Sequence, residues 1–194
     1  MARAKRKSRT GRGSRSTQRR SSRAMDAISL LKADHREVEG WFEQFEKARS
    51  DDRKLELANK ICTALKVHTL IEHEIFYPAF LEATQEEDIH HEAEIEHESA
   101  KKLIAEIEGS GPQDEYYDAR VTVLSEMVKH HVNEEEKRDG MFAKARKSDM
   151  DLVALGEQLA TRKQELMSQQ KRLGSNSGRR ASRTMLGRMA AGLR

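Results

Sequence analysis

The feature that most constrains this chain is a histidine and a glutamate four residues apart, His68 and Glu72, set inside an otherwise apolar helical pattern. On an α-helix that spacing puts both side chains on one face, about one turn apart. Steps of three and four along this face pick up Leu57, Ile61, Leu65, His68, Glu72, Ile75 and Ala79, so the pair stands where two apolar side chains belong. An ionised carboxylate buried there without a partner would cost several kcal/mol, a large part of the ~5–15 kcal/mol of net stability typical of a domain. Any fold that keeps the pattern must bring positive charge to Glu72.

Three further segments carry a histidine on an apolar stripe. From about Asp26 the chain reads Ile28, Leu31, His35, Val38, Phe42 and Phe45 in threes and fours, with Trp41 flanking. The second helix, which holds the opening pair, starts at Ser50, whose hydroxyl can cap ahead of Asp51 and Asp52. It runs to about Glu82, with Pro78 bending it or ending its regular part and Phe76, Tyr77 and Phe80 closing one end of the core. A third helix, roughly Glu86 to Glu108, shows His90, Ala93, His97, Ala100, Ile104 and Ile107 before Gly109-Ser110-Gly111-Pro112 stops it. The fourth, Asp114 to Lys147, carries Tyr117, Val121, Leu124, Val128, His131, Glu135, Arg138 and Phe142. Short connections make successive helices antiparallel, which predicts an all-α, up-down-up-down four-helix bundle. A further helix from Asp149 or Asp151 to about Lys171, with Leu152, Leu155, Leu159 and Leu166, packs outside the bundle.

Charge divides the chain into three. Before Asp26 there are ten basic residues and no acidic one; after Glu165 there are seven basic residues and again no acidic one. Removing those 17 from the 36 Lys and Arg leaves 19 against all 33 Asp and Glu, so the middle of the chain is strongly acidic although the whole carries +3. The expected domains are therefore a disordered basic tail over 1–24, the bundle with its packing helix over 25–171, and a basic tail over 172–194, opened by Gly174 to Gly178 and holding Met185, Leu186, Met189 and Leu193 as a short surface helix. Such tails suit nonspecific contact with nucleic acid. Cys62 stands alone, which precludes an intramolecular disulfide and suits a reducing cytoplasm; it reads as an inert buried thiol. No apolar run approaches the ~18 residues of a membrane-spanning helix.

Each of the four helices thus puts one histidine on its core face: His35, His68, His97 and His131, with Glu72 and Glu135 one turn beyond two of them. A purely structural bundle would need separate hydrogen-bond partners for all six, whereas one metal centre satisfies them together. Four imidazoles and two carboxylates exceed the tetrahedral set of structural zinc. They match two cations about 3.5–4 Å apart, each with two histidines and both bridged by the carboxylates. Imidazole with carboxylate suits iron, so the residues point to a non-haem di-iron centre, with Mn or Zn as substitutes. No nucleophile paired with a base, phosphate loop or dinucleotide fingerprint is present. Tyr77, Tyr116 and Tyr117 are expected to pack helix ends, and His73, His91 and His130 to lie on the surface.

These residues resemble the hemerythrin-like, or HHE cation-binding, domains over about Ala27 to Lys163. The carriers are Leu31-Lys-Ala-Asp-His35, His68-x-x-x-Glu72 followed by Phe76-Tyr77-Pro78, Glu96-His97, and His131-x-x-x-Glu135. The resemblance implies an oxo- or hydroxo-bridged di-iron centre in a four-helix bundle, whose relatives carry oxygen, sense oxygen or iron, or handle nitric oxide and peroxide. This sequence departs from the oxygen carriers in two places. They have a second histidine one turn along the third helix, where this chain has Ala93 and Lys101 on either side of His97; His90 is about 10 Å away along the axis. They also have an aspartate five residues after the last histidine, a register held here by Glu136, while Glu135 fits the helical face better. Glu94, a turn before His97, is a candidate extra ligand. Four histidines instead of five imply a more open centre, and if it turns over, peroxide removal is the expected chemistry.

Overall fold

A computed structural model describes residues 25–191, with side chains through Arg172; the proposed leader of residues 1–24 lies outside these. Helix α1 (Ala27–Lys47) begins at Asp26, whose carboxylate accepts from the Ser29 backbone N–H at 2.9 Å, the N-cap geometry that satisfies a first-turn donor. Helix α2 (Asp51–Ile71) begins after Ser50 as expected, but the Ser50 hydroxyl makes no capping bond. Helices α4 (Glu87–Gly109) and α5 (Tyr117–Glu136) complete the bundle. Within it α1 packs on α2 and α5, and α4 packs on α5 and α2.

The second helix does not run straight to Glu82. Residues Glu72–Phe76 form a π turn in which the Tyr77 N–H donates to the Glu72 carbonyl, five residues back, and α3 (Tyr77–Thr84) follows with Pro78 in its first turn. A regular helix would ask Pro78 for an N–H it lacks; the widened turn inserts one residue before the ring and lets the chain continue. It also shifts the buried face. Phe76, Tyr77 and Phe80 are buried, while Ile75 and Ala79, the expected continuation of the stripe, are only half-buried.

The predicted fourth helix is two. After α5 the chain turns through Lys137–Gly140 into α6 (Met141–Lys147). A Cβ on Gly140 would lie 2.2 Å from the Glu134 carbonyl oxygen and 2.8 Å from that of Glu135, so only glycine lets the chain fold back over the end of α5. Phe142 then enters the core from α6 rather than from a continuous stripe.

Helix α7 (Leu152–Ala191) packs against α1, α2 and the π turn. It is longer than expected: the described backbone stays helical through Gly174–Gly178, where a tail was predicted to open. Leu159 and Leu166 are buried against the bundle. At the crossing with the start of α1, a Cβ on Gly156 would meet the Met25 carbonyl oxygen at 2.2 Å and the Ala27 nitrogen at 2.9 Å, so a missing side chain sets the approach. Among the described residues no helix is long and apolar enough to cross a membrane.

The core falls into two apolar clusters. One, with Phe42, Leu57, Ile61, Ile104, Tyr117 and Leu124, fills the end where α1 finishes and α2 begins. The other, with Ile28, Leu31, Ile71, Phe76, Phe80, Met141, Phe142 and Leu159, fills the opposite end and reaches α7. Between them along α1, α4 and α5 lie His35, His97, His131 and Glu135, joined from the second helix by His68 and Glu72. Each fully buried Leu, Ile or Phe contributes about 1.5–3 kcal/mol, and these clusters hold a polar layer that could not hold itself.

Candidate metal centre

All six predicted residues meet in that layer. His35 comes from α1, His68 from the last turn of α2, Glu72 from the first position of the π turn, His97 from α4, and His131 and Glu135 from α5. None is more than 8 % exposed, and Glu72 is wholly buried. The imidazoles form two pairs, each joined through Nε2: His35 to His68 at 3.2 Å, and His97 to His131 at 3.2 Å. Each glutamate spans both pairs. Glu72 places Oε1 3.1 Å from His68 Nε2 and Oε2 3.5 Å from His97 Nε2; Glu135 places Oε2 3.4 Å from His35 Nε2 and Oε1 3.7 Å from His131 Nε2.

Two groups of donor atoms lie close enough together to hold an ion: His35, His68, Glu72 and Glu135, and, sharing Glu72, His97 and His131. Both oxygens of both glutamates are buried without a hydrogen-bond partner. Carboxylates left so in a protein interior are costly unless a cation meets them, and the fit of these donors to a metal rests on that observation.

The electrostatics of the layer are coupled. Burial pushes the Glu135 carboxyl up to about 8, helped by the charge of Glu72. Burial acts the same way on Glu72, but the neighbouring imidazoles, His68 foremost, outweigh it and hold the group down at about 2. Burial lowers His35 to about 4 and His97 to about 3, with His68 and His131, respectively, adding to the shift. His68 rises to about 10 and His131 to about 9 because, against burial, Glu72 with Asp34 favours the first imidazolium and Glu135 with Glu96 the second. Within each pair the nearby carboxylates favour the imidazolium of one ring, His68 or His131, while burial disfavours charge on the other.

The outer nitrogens have partners that the sequence did not reveal. Glu136 Oε1 lies 2.9 Å from His35 Nδ1, and Glu96 Oε2 lies 2.7 Å from His131 Nδ1. Asp34 Oδ2 lies 3.5 Å from His68 Nδ1. His97 Nδ1 meets His73 Nε2 at 3.2 Å, and His73 Nδ1 in turn meets Glu94 at 2.9 Å. His73 is thus half-buried behind the site rather than a surface residue. Glu94 faces His73 and, at 3.4 Å, His90 instead of the central set. Tyr77 is buried at the helix junction as expected, and its hydroxyl also lies 3.4 Å from His97 Nε2. Asp34 and Glu96 sit one residue before a predicted ligand yet serve the imidazole of a neighbouring helix, a pairing invisible until the bundle is assembled. Glu136 takes this outer role while Glu135 faces the centre. Ala93 is buried and Lys101 pairs with Glu98, so neither position beside His97 supplies a fifth imidazole.

A cavity of about 40 Å³ adjoins all four imidazoles, walled otherwise mainly by Val38, Leu65, Ala100, Ile104 and Val128. By the same measure one water needs ~10–15 Å³, so the space suits a diatomic molecule or a few waters. A second cavity, about 50 Å³, lies under the α5–α6 turn beside His131 and Glu135.

The hemerythrin HHE cation binding domain matches residues 26–143, more than half of the sequence, and the chain belongs to that family. A crystal structure of a hemerythrin HHE cation binding domain-containing protein from Mycobacterium kansasii has the same fold, with a TM-score of 0.62 and 24% identity over 74% of this chain and 88% of that one. No curated protein matches it. The protein is therefore a member of a cation-binding family, carrying His/Glu clusters able to hold metal.

Proposed function

We propose that this protein is a non-haem di-iron protein that binds or senses a small ligand, dioxygen, peroxide or nitric oxide, or responds to iron itself. His35, His68, Glu72, His97, His131 and Glu135 hold the two ions, with Mn or Zn as substitutes. The single observation that carries this reading is the pair of buried glutamates, each set between two imidazole pairs and each without any other partner. A bound iron pair would supply a redox-active centre with room for an exogenous ligand.

The chain's own residues set what that ligand can be. The apolar wall of Val38, Leu65, Ile104 and Val128 admits small uncharged molecules and disfavours solvated anions. Glu136, Asp34, Glu96 and His73 orient the four rings so that Nε2 faces inward. Four imidazoles leave coordination more open than five, which favours reaction with peroxide over reversible oxygen carriage. A cytoplasmic setting agrees with the unpaired, buried Cys62. The test is to load the stripped protein with ferrous iron without air and then admit oxygen or peroxide. Near-ultraviolet charge-transfer absorption of an oxo-bridged ferric pair is expected, and its absence from an iron-loaded sample would refute the reading.

The ten basic residues before Asp26 and seven after Glu165 favour a second role, in which the bundle sequesters iron beside nucleic acid. That role predicts salt-dependent DNA binding abolished by removing residues 1–24 and 172–194; binding unchanged by their removal would exclude it.

A further inference from the structure

The family match ends at residue 143, yet α7, wholly beyond it, reaches the metal-binding layer. Two consecutive residues make the connection. The Arg162 guanidinium forks onto Glu74 of the π turn, at 2.6 and 3.0 Å, and sets the register of α7 on the bundle. Lys163 then donates to Oδ1 of Asp34, a carboxylate only 8 % exposed, whose other oxygen faces Nδ1 of His68 at 3.5 Å.

The other imidazoles have outer partners held from within the bundle, although Arg162 also reaches, through Glu74, the π turn that carries His73. Glu136, behind His35, is gripped by Lys32 and Arg36 of α1 at 2.9 and 2.6 Å. His131 rests on Glu96 of α4, and His97 on His73 of the π turn. His68 Nδ1 differs: Asp34 is its near neighbour, it makes no full hydrogen bond, and the cation holding Asp34 comes from outside the four-helix bundle. A buried carboxylate with one oxygen on a lysine has one direction left for the other, and here that direction is the His68 ring.

We propose that Lys163 is a positioning residue of the metal centre: by holding Asp34 it fixes the His68 ring with Nε2 turned toward the ion shared with His35, and so makes α7 a working part of the site. The inference rests on the metal reading above. It assigns the His35/His68 ion, and not the His97/His131 ion, to the control of Lys163.

The experiment uses the full chain loaded with iron, in wild-type, K163M, K163R and R162M forms, each checked for helicity by circular dichroism. Iron retention against a competing chelator is followed together with the ferric absorption. Outer-sphere partners of metal-binding histidines typically change affinity by about 10–100-fold. K163M should lose one of two ions at least about tenfold more readily while staying folded, K163R should recover most of that loss, and R162M should lose less than K163M. Retention of both ions by folded K163M would overturn the inference and leave the metal reading intact. Equal losses in R162M and K163M would assign the effect to docking of α7 as a whole and overturn the role of Lys163. A wild-type chain that takes up no iron would overturn the metal reading, and this inference with it.

Discussion

Replacing Glu135 by methionine should stabilise the metal-stripped protein while weakening its response to iron. Glu135 is 2 % exposed, and both its oxygens lack hydrogen-bond partners. Burial and Glu72 raise its folded pKa to about 8 from an ordinary value of 4.5. The folded state therefore binds a proton that the unfolded state has released between those pH values, and stability falls as pH rises from 4.5 to about 8. At pH 7, some 2.5 units above the ordinary value, the cost is about 3 kcal/mol at ~1.4 kcal/mol per unit. Methionine has similar bulk and needs no proton. Against that gain stands imperfect packing of the new side chain, so a net stabilisation of ~1–3 kcal/mol is expected, as when buried ionic groups elsewhere are replaced by apolar ones. In a chain of this size that corresponds to a Tm rise of roughly 2–12 °C.

With iron the order should reverse. Wild type gains about 4 kcal/mol at a free metal concentration a thousandfold above Kd, and E135M, left whole only at the Glu72, His97 and His131 group, gains distinctly less. Thermal melts of both forms, with chelator and with ferrous iron under nitrogen, provide the test, with chelated samples run at pH 5.5 and 7.5. The stabilisation by E135M should be larger at pH 7.5. A chelated variant less stable than wild type by more than ~2 kcal/mol would show that Glu135 serves the fold itself, and the reasoning would fail.

Other expectations follow from the same geometry. G156A drives a methyl group into the Met25 carbonyl and should cost about 1–3 kcal/mol, loosening α7; an unchanged Tm would show that the crossing has slack. Burial, reinforced by Glu108, pushes the Cys62 thiol up to about 12, so a thiol reagent at pH 8 should label native protein only as fast as it unfolds, and rapid stoichiometric labelling would contradict that packing. Metal uptake should release protons from His68, His131 and Glu135 and weaken as pH falls, because both rings and the carboxyl are raised above their ordinary values. Uptake without proton release in a weakly buffered titration would speak against these three as ligands.

Periodicity alone carried much of this structure. The stripe of Ile28, Leu31, His35, Val38, Phe42 and Phe45 is buried on α1 as written, because an amphipathic helix advertises its inner face every third and fourth residue. The convergence of the six polar residues was legible for the same reason. What stayed hidden depends on single-residue events or on neighbours far apart in sequence. The π turn at Glu72–Phe76 advances the face by one position, which Pro78 hints at but does not dictate. The break at Gly140 depends on a backbone approach so close that a Cβ there would lie 2.2 Å from the Glu134 carbonyl oxygen, which no side-chain pattern records. The roles of Asp34, Glu96 and Glu136 arise across helices, and Lys163 is 129 residues from the aspartate it holds.

The central claim is that two ions share six side chains in one layer. Titration of stripped protein with ferrous iron under nitrogen, with bound metal counted per chain, addresses it directly, alongside H68A and H131A. The account predicts two equivalents for the unaltered chain and the loss of at least one in each variant. Binding of one equivalent or none by the unaltered chain, or of two by both variants, would contradict it.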